Sequence, residues 1–103
     1  VELEVGRPFF RTRKAPTVHS VTGKLREHSK AERTAAIVLI RRRVQHWTVV
    51  TSVSASSLIL KDSEGDHRIP IPACTCRQVS GQAKSVVRLV PRGALLLTFL
   101  SRN

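Results

Sequence analysis

Ala35-Ala36-Ile37-Val38-Leu39-Ile40, then His46-Trp47-Thr48-Val49-Val50-Thr51-Ser52-Val53, then Leu58-Ile59-Leu60-Lys61-Asp62, is the stretch that decides the fold. The first run is continuously apolar and rich in β-branched residues, the pattern of a strand covered on both faces. The second alternates. Trp47, Val49, Thr51 and Val53 fall on one side and His46, Thr48, Val50 and Ser52 on the other, the period of a strand with two unlike faces. The third is short and apolar. Only residues 54–57 separate it from the second, so the two form an antiparallel hairpin.

Toward the C-terminus, Ser63-Glu64-Gly65-Asp66 reads as a hairpin loop. It leads into a strand over 67–71, where Pro70 and Pro72 predict a sheet edge. Residues 73–83 form a polar connection, and 85–90 with 94–100 make a last hairpin around the turn Pro91-Arg92-Gly93. Toward the N-terminus, 29–34 is a polar linker and 17–28 a helix. Thr17 caps it directly after Pro16, and Val18, Val21 and Leu25 recur at i, i+3 and i+7. Gly23 weakens this helix by about 1 kcal/mol relative to Ala. Residues 1–16 read as a basic, irregular arm broken by Gly6, Pro8 and Pro16, with Phe9-Phe10 available to dock it.

The expected architecture is therefore α+β: one N-terminal helix packed on an antiparallel sheet or half-barrel of about six strands. A chain of 103 residues holds one domain. It divides into the arm (1–16), the helix and linker (17–34) and a β-rich body (35–103). Ile37, Val38, Leu39, Val49, Leu60 and Leu97 are expected in the core.

Hydrophobic residues make up 41% of the chain, enough for a packed domain and too many for wholesale disorder. No apolar run approaches the roughly 18 residues of a membrane span. Val1-Glu2-Leu3-Glu4 does not open a signal peptide, so a cytoplasmic protein without a membrane span is expected. The chain contains no methionine. Either an initiator was trimmed ahead of Val1 or Val1 is internal to a longer chain. Eighteen Lys and Arg, thirteen of them Arg, against seven Asp and Glu give a net charge of +11. Such a field attracts nucleic acid non-specifically, or an acidic partner. Its dense clusters are Arg11-Thr12-Arg13-Lys14 and Arg41-Arg42-Arg43. Cys74 and Cys76 are too closely spaced for an unstrained mutual disulfide and lack a neighbouring His for zinc. They read as buried reduced thiols, with no metal or cofactor expected.

Chemistry is carried by His46 and Asp62. In the predicted hairpin the start of the first strand lies beside the end of the second, which brings an imidazole and a carboxylate to the same end of the sheet. A carboxylate so placed orients the ring and supports its protonated form. The pattern of a helix, a buried strand, a His-aromatic-x-Val-Val strand and an Asp sixteen residues after the His resembles bacterial papain-like cysteine peptidases. It is most similar to the domains that trim double-glycine leader peptides. The resemblance spans about residues 17–66 and, more loosely, the final hairpin. It implies that His46 is the general base, Asp62 its orienting partner and Trp47 a bulky substrate-side neighbour. In that family the nucleophilic Cys opens a long helix near the start of the domain, shortly after an oxyanion-stabilising Gln. Here no Cys precedes Cys74.

Two functions follow as expectations. One is a cysteine peptidase-like module that is inactive alone, either a fragment lacking an N-terminal Cys-bearing segment or a pseudoenzyme that binds peptide or protein. The alternative is a small basic binding protein for nucleic acid or an acidic partner, using Arg41, Arg42 and Arg43. With four aromatics the chain is poor in base-stacking residues, which weighs against the second.

Overall fold

The computed structural model describes residues 2–41, 45–61, 68–77 and 86–100. In chain order the elements are β1 (Glu2–Gly6), α1 (Val18–Ser29), β2 (Thr34–Arg41), β3 (Gln45–Val53), β4 (Ser57–Lys61), β5 (Arg68–Pro70), β6 (Cys74–Thr75) and β7 (Val87–Leu100). A short 3-10 turn, Ile71–Ala73, joins β5 to β6. The strands form one seven-stranded sheet in the order β1-β7-β2-β3-β4-β5, with β6 added beside β7. Every pairing is antiparallel except the two-residue contact of β6 with β7. The sheet is open and carries α1 on one face, so the fold is α+β with an open sheet where a half-barrel was the alternative. Among the described residues no helix is long and apolar enough to cross a membrane.

α1 begins where its capping residues permit. The Ser20 backbone N–H donates to Thr17 Oγ1 at 3.0 Å, and the Thr17 N–H donates to Ser20 Oγ at 2.9 Å, a reciprocal box that satisfies two otherwise open donors. Val21, Thr22 and Leu25 face the sheet and are buried. The Thr22 hydroxyl donates back to the Val18 carbonyl at 2.9 Å, so its buried oxygen is paired. At the C-terminal end the Thr34 hydroxyl donates to the carbonyls of Ala31 and His28, and Arg33 makes the reversal into β2 in the left-handed region at φ 58°. Arg26 Nη2 donates to the Ser54 carbonyl at 3.0 Å, and the His28 ring nitrogen Nε2 donates to the Leu97 carbonyl at 2.8 Å. These two contacts pin the helix across β3 and β7.

Gly23 sits in the middle of α1 with nothing within 4 Å of where a Cβ would stand. Gly23→Ala is therefore expected to raise unfolding stability by about 0.5–1 kcal/mol, the helix-propensity difference alone. Urea denaturation followed by far-ultraviolet circular dichroism measures it.

The core lies between α1 and one face of the sheet. Ile40, Leu58 and Ile69 have no exposed surface, and Val21, Leu25, Ala36, Val38, Val50, Leu60, Val87 and Leu89 are nearly as buried. Phe9 docks the segment after β1 into this core. Phe10 stays exposed, with the guanidinium groups of Arg7 and Arg11 over its ring at 5.5 and 5.7 Å.

Four sequence expectations are corrected. The N-terminal arm is not irregular throughout, because Glu2–Gly6 pairs along β7 as an edge strand. The last hairpin does not exist: β7 continues through Pro91-Arg92-Gly93 as one strand against β2. Between the pairs Leu39↔Val90 and Ile37↔Leu95, β2 advances two residues and β7 five, and the extra residues bulge out of the ladder. The polar connection after Pro72 contains β6. Finally, β2 is covered on one face only. Val38 and Leu60 are buried as expected, whereas Ile37, Leu39, Val49 and Leu97 are only partly buried, on the face away from α1.

Candidate functional site

The β3–β4 hairpin is present, with Val53 opposite Leu58, Val50 opposite Leu60 and Val49 opposite Lys61. A turn over 54–57 closes it, the Ser54 N–H donating to the Ser57 carbonyl at 2.9 Å and the Ser57 N–H to Ser54 Oγ at 3.0 Å. This arrangement brings the end of β4 to the middle of β3. His46 lies three residues before Val49, about 10 Å further along the strand. It stands directly opposite Ile40, so its ring belongs to the helix face, where it is half-buried beside the buried Thr48. Asp62, its expected partner, lies outside the described residues, as do Arg42 and Arg43. Arg41 ends β2, exposed, with Gln45 opposite it on one side and Arg88 on the other.

The thiols are held elsewhere. Cys74 and Cys76 are free and half-buried rather than fully enclosed. Cys74 Sγ donates to the Pro70 carbonyl at 3.6 Å. β7 and β2 lie between β6 and β3. Three strand steps of 4.7–4.9 Å put the backbone of β6 about 14 Å from that of His46. A cysteine nucleophile has to be within hydrogen-bond reach of its base, so neither thiol can serve His46 in this fold. Burial also pushes the Cys76 thiol above its ordinary value, with the Arg88 charge opposing the shift only partly. That is the reverse of an activated thiolate. Among the described residues no group of three or more His, Cys, Asp or Glu side chains could hold a metal ion.

The second surface of interest is the sheet face opposite α1. Residues directly opposite in an antiparallel pair share a face, and the register carries one apolar field across four neighbouring strands. Leu3 faces Phe99 and Val5 faces Leu97 between β1 and β7. Ile37 stands between Leu95 and Val49, and Leu39 between Val90 and Trp47. No helix or strand among the described residues lies over this field. Leu3, Val5 and Phe99 are 40–50% exposed, and Trp47, the chain's single tryptophan, is 54% exposed. Trp47 therefore occupies the face opposite His46. A Cβ added at Gly93 would come within 2.9 Å of its ring and 3.2 Å of Leu39 Cβ. Gly93 is the seat on which the indole lies, which is why a residue without a side chain stands at the bulge. Arg41, Arg88 and Lys61 border the field on the same face.

Sequence reasoning missed three features. His28 carries no motif, yet its ring fastens α1 to β7. The apolar outer face reads as core in the sequence, because a continuous apolar run does not say whether its second side is covered. The third is a basic recess beside the β7 bulge, made by the cluster at 11–14 together with arginines of β7, which are distant in sequence. Comparison with protein-family models, curated proteins and solved structures gives no match to this chain.

Proposed function

We propose that this chain is a protein- or peptide-binding module that takes an acidic partner on the uncovered apolar face of its sheet. Its scaffold is similar to the sheet half of papain-like cysteine peptidases, and as a separate chain it has no peptidase activity. The observation that carries the reading is the apolar field four strands wide, from Leu3 through Leu97 and Ile37 to Trp47. Contiguous exposed apolar surface of this kind marks an interaction site. The border of Arg41, Arg88 and Lys61 and the net charge of +11 favour an acidic partner over a second copy of the same basic chain. The likeness to the peptidases rests on His46 opening β3 of the β3–β4 hairpin. The inactivity rests on the separation of both thiols from that residue.

Trp47 is the reporter. Titration with a peptide of alternating Leu and Glu is expected to shift its emission to the blue as the indole leaves water. The matching Leu and Lys peptide should leave the spectrum unchanged. Leu97→Lys, at the centre of the field, should weaken the Leu and Glu peptide about tenfold, the effect of losing roughly 1.4 kcal/mol of contact. An emission shift that Leu97→Lys leaves intact, or none with either peptide, overturns the docking reading. Peptide hydrolysis abolished by Cys74→Ser or Cys76→Ser overturns the inactivity.

A further inference from the structure

The segment between β1 and α1 passes beside the bulge of β7 and leaves a recess of about 310 Å³ lined by Arg13, Lys14, Arg88, Val90, Pro91 and Arg92. Four cationic side chains converge on a space of small-ligand size, and among the described residues no acidic side chain lines it. The ion pair between Lys30 and Glu27 is exposed on α1 and takes no part in lining this recess. Arg88 is the most committed of the four. Its backbone is fixed in β7 between Val87 and Leu89, both 2% exposed, so the side chain emerges from a rigid strand. Its Nε is buried with no hydrogen-bond partner among the described residues. A guanidinium N–H withdrawn from water and left unpaired is costly, and the cost is offset when an anion supplies the missing charge. Arg41, directly opposite Arg88, adds a like charge rather than a counter-charge.

We propose that this recess binds the phosphate group of a small phosphorylated ligand, with Arg13, Lys14 and Arg92 closing around an oxyanion whose charge compensates Arg88. Guanidinium groups pair with phosphate oxygens through parallel N–H···O bonds, and a terminal phosphate monoester brings close to two negative charges to one point. A carboxylate brings one charge, too little for four cations. A phosphodiester within a polynucleotide also carries one charge and is flanked by sugars on both sides, which suits an open track better than a recess. The recess adjoins the apolar field and shares Arg88 and Val90 with it, but phosphate binding there does not depend on the partner proposed for the field.

The test is isothermal titration of the full chain with inorganic phosphate, with a nucleoside 5′-monophosphate and with mixed-sequence single-stranded DNA. Binding of the first two is expected, tighter for the monophosphate. Arg92→Gln and the double variant Arg13→Gln/Lys14→Gln change exposed side chains and should each weaken phosphate at least about tenfold. The double variant Lys24→Gln/Lys30→Gln, which removes the same charge from α1, should leave phosphate affinity within about twofold, as for a distant exposed site. Absence of phosphate binding overturns the proposal. Equal weakening by the α1 variant overturns it too, since net charge alone would then explain the attraction. DNA that displaces phosphate with an affinity growing with strand length would show a nucleic-acid track in place of a small-ligand site.

Discussion

Val38→Asp and Leu60→Asp are each expected to abolish the cooperative unfolding transition, whereas Ile37→Asp is expected to leave a folded protein. Val38 in β2 and Leu60 in β4 are 4% and 5% exposed within the core, on the enclosed face of the sheet. No Lys or Arg is among the buried side chains described there, so an introduced carboxylate meets no counter-charge. An unpaired buried charge costs on the order of 3–5 kcal/mol, against a total stability of about 5–15 kcal/mol for a domain. Ile37 is next in sequence but points to the outer face, where the new carboxylate keeps contact with water. Its substitution should cost no more than about 1–3 kcal/mol, from lost strand propensity and lost contact with Leu95 and Val49. Thermal melts by circular dichroism separate the outcomes. Equal damage from Ile37→Asp and Val38→Asp would mean that the outer face is covered.

Leu25→Ala carries the second large effect, an expected loss of about 2–5 kcal/mol in urea unfolding. Leu25 is 1% exposed and sits in the helix that covers the core. Its truncation leaves a cavity between α1 and the sheet that Val21 and Thr22, already packed, cannot fill. The hydrogen bonds from Arg26 to Ser54 and from His28 to Leu97 keep the helix in place over that cavity, so collapse into it is limited. Near-ultraviolet and far-ultraviolet signals should remain native in the absence of denaturant, with the midpoint moved to lower urea. A loss below about 1 kcal/mol would mean that α1 is only loosely docked.

The resemblance to papain-like peptidases proposed for this chain depends on local pattern and therefore on the part of the chain where local pattern is informative. Alternation in 46–53, the short turn at 54–57 and the capping residue Thr17 all act within a few residues of one another. The helix, the β3–β4 hairpin and the edge position of the strand carrying Pro70 are accordingly legible in the amino-acid sequence. Local pattern cannot show that both thiols stand three strands from His46. That distance follows from the sheet order β6-β7-β2-β3, whose central β7–β2 pairing joins residues more than forty positions apart.

Periodicity and capping are properties of neighbouring residues, so most elements and the faces within each strand can be read from the amino-acid order. Which of two apolar faces is covered depends on packing between elements far apart in the chain. Ile37 and Val38 are equally apolar, and α1, the one α-helix among the described residues, encloses one side of the sheet. It chose the side of Val38 through Val21, Leu25 and the anchors at Arg26 and His28. Pro91-Arg92-Gly93 shows the same limit in reverse. Its residues suit a turn, but β2 on one side and β1 and β6 on the other hold the chain extended, and the surplus residues become a bulge. Backbone pairing along both flanks outweighs a local turn preference, and no residue near Gly93 in sequence announces the strands that supply it.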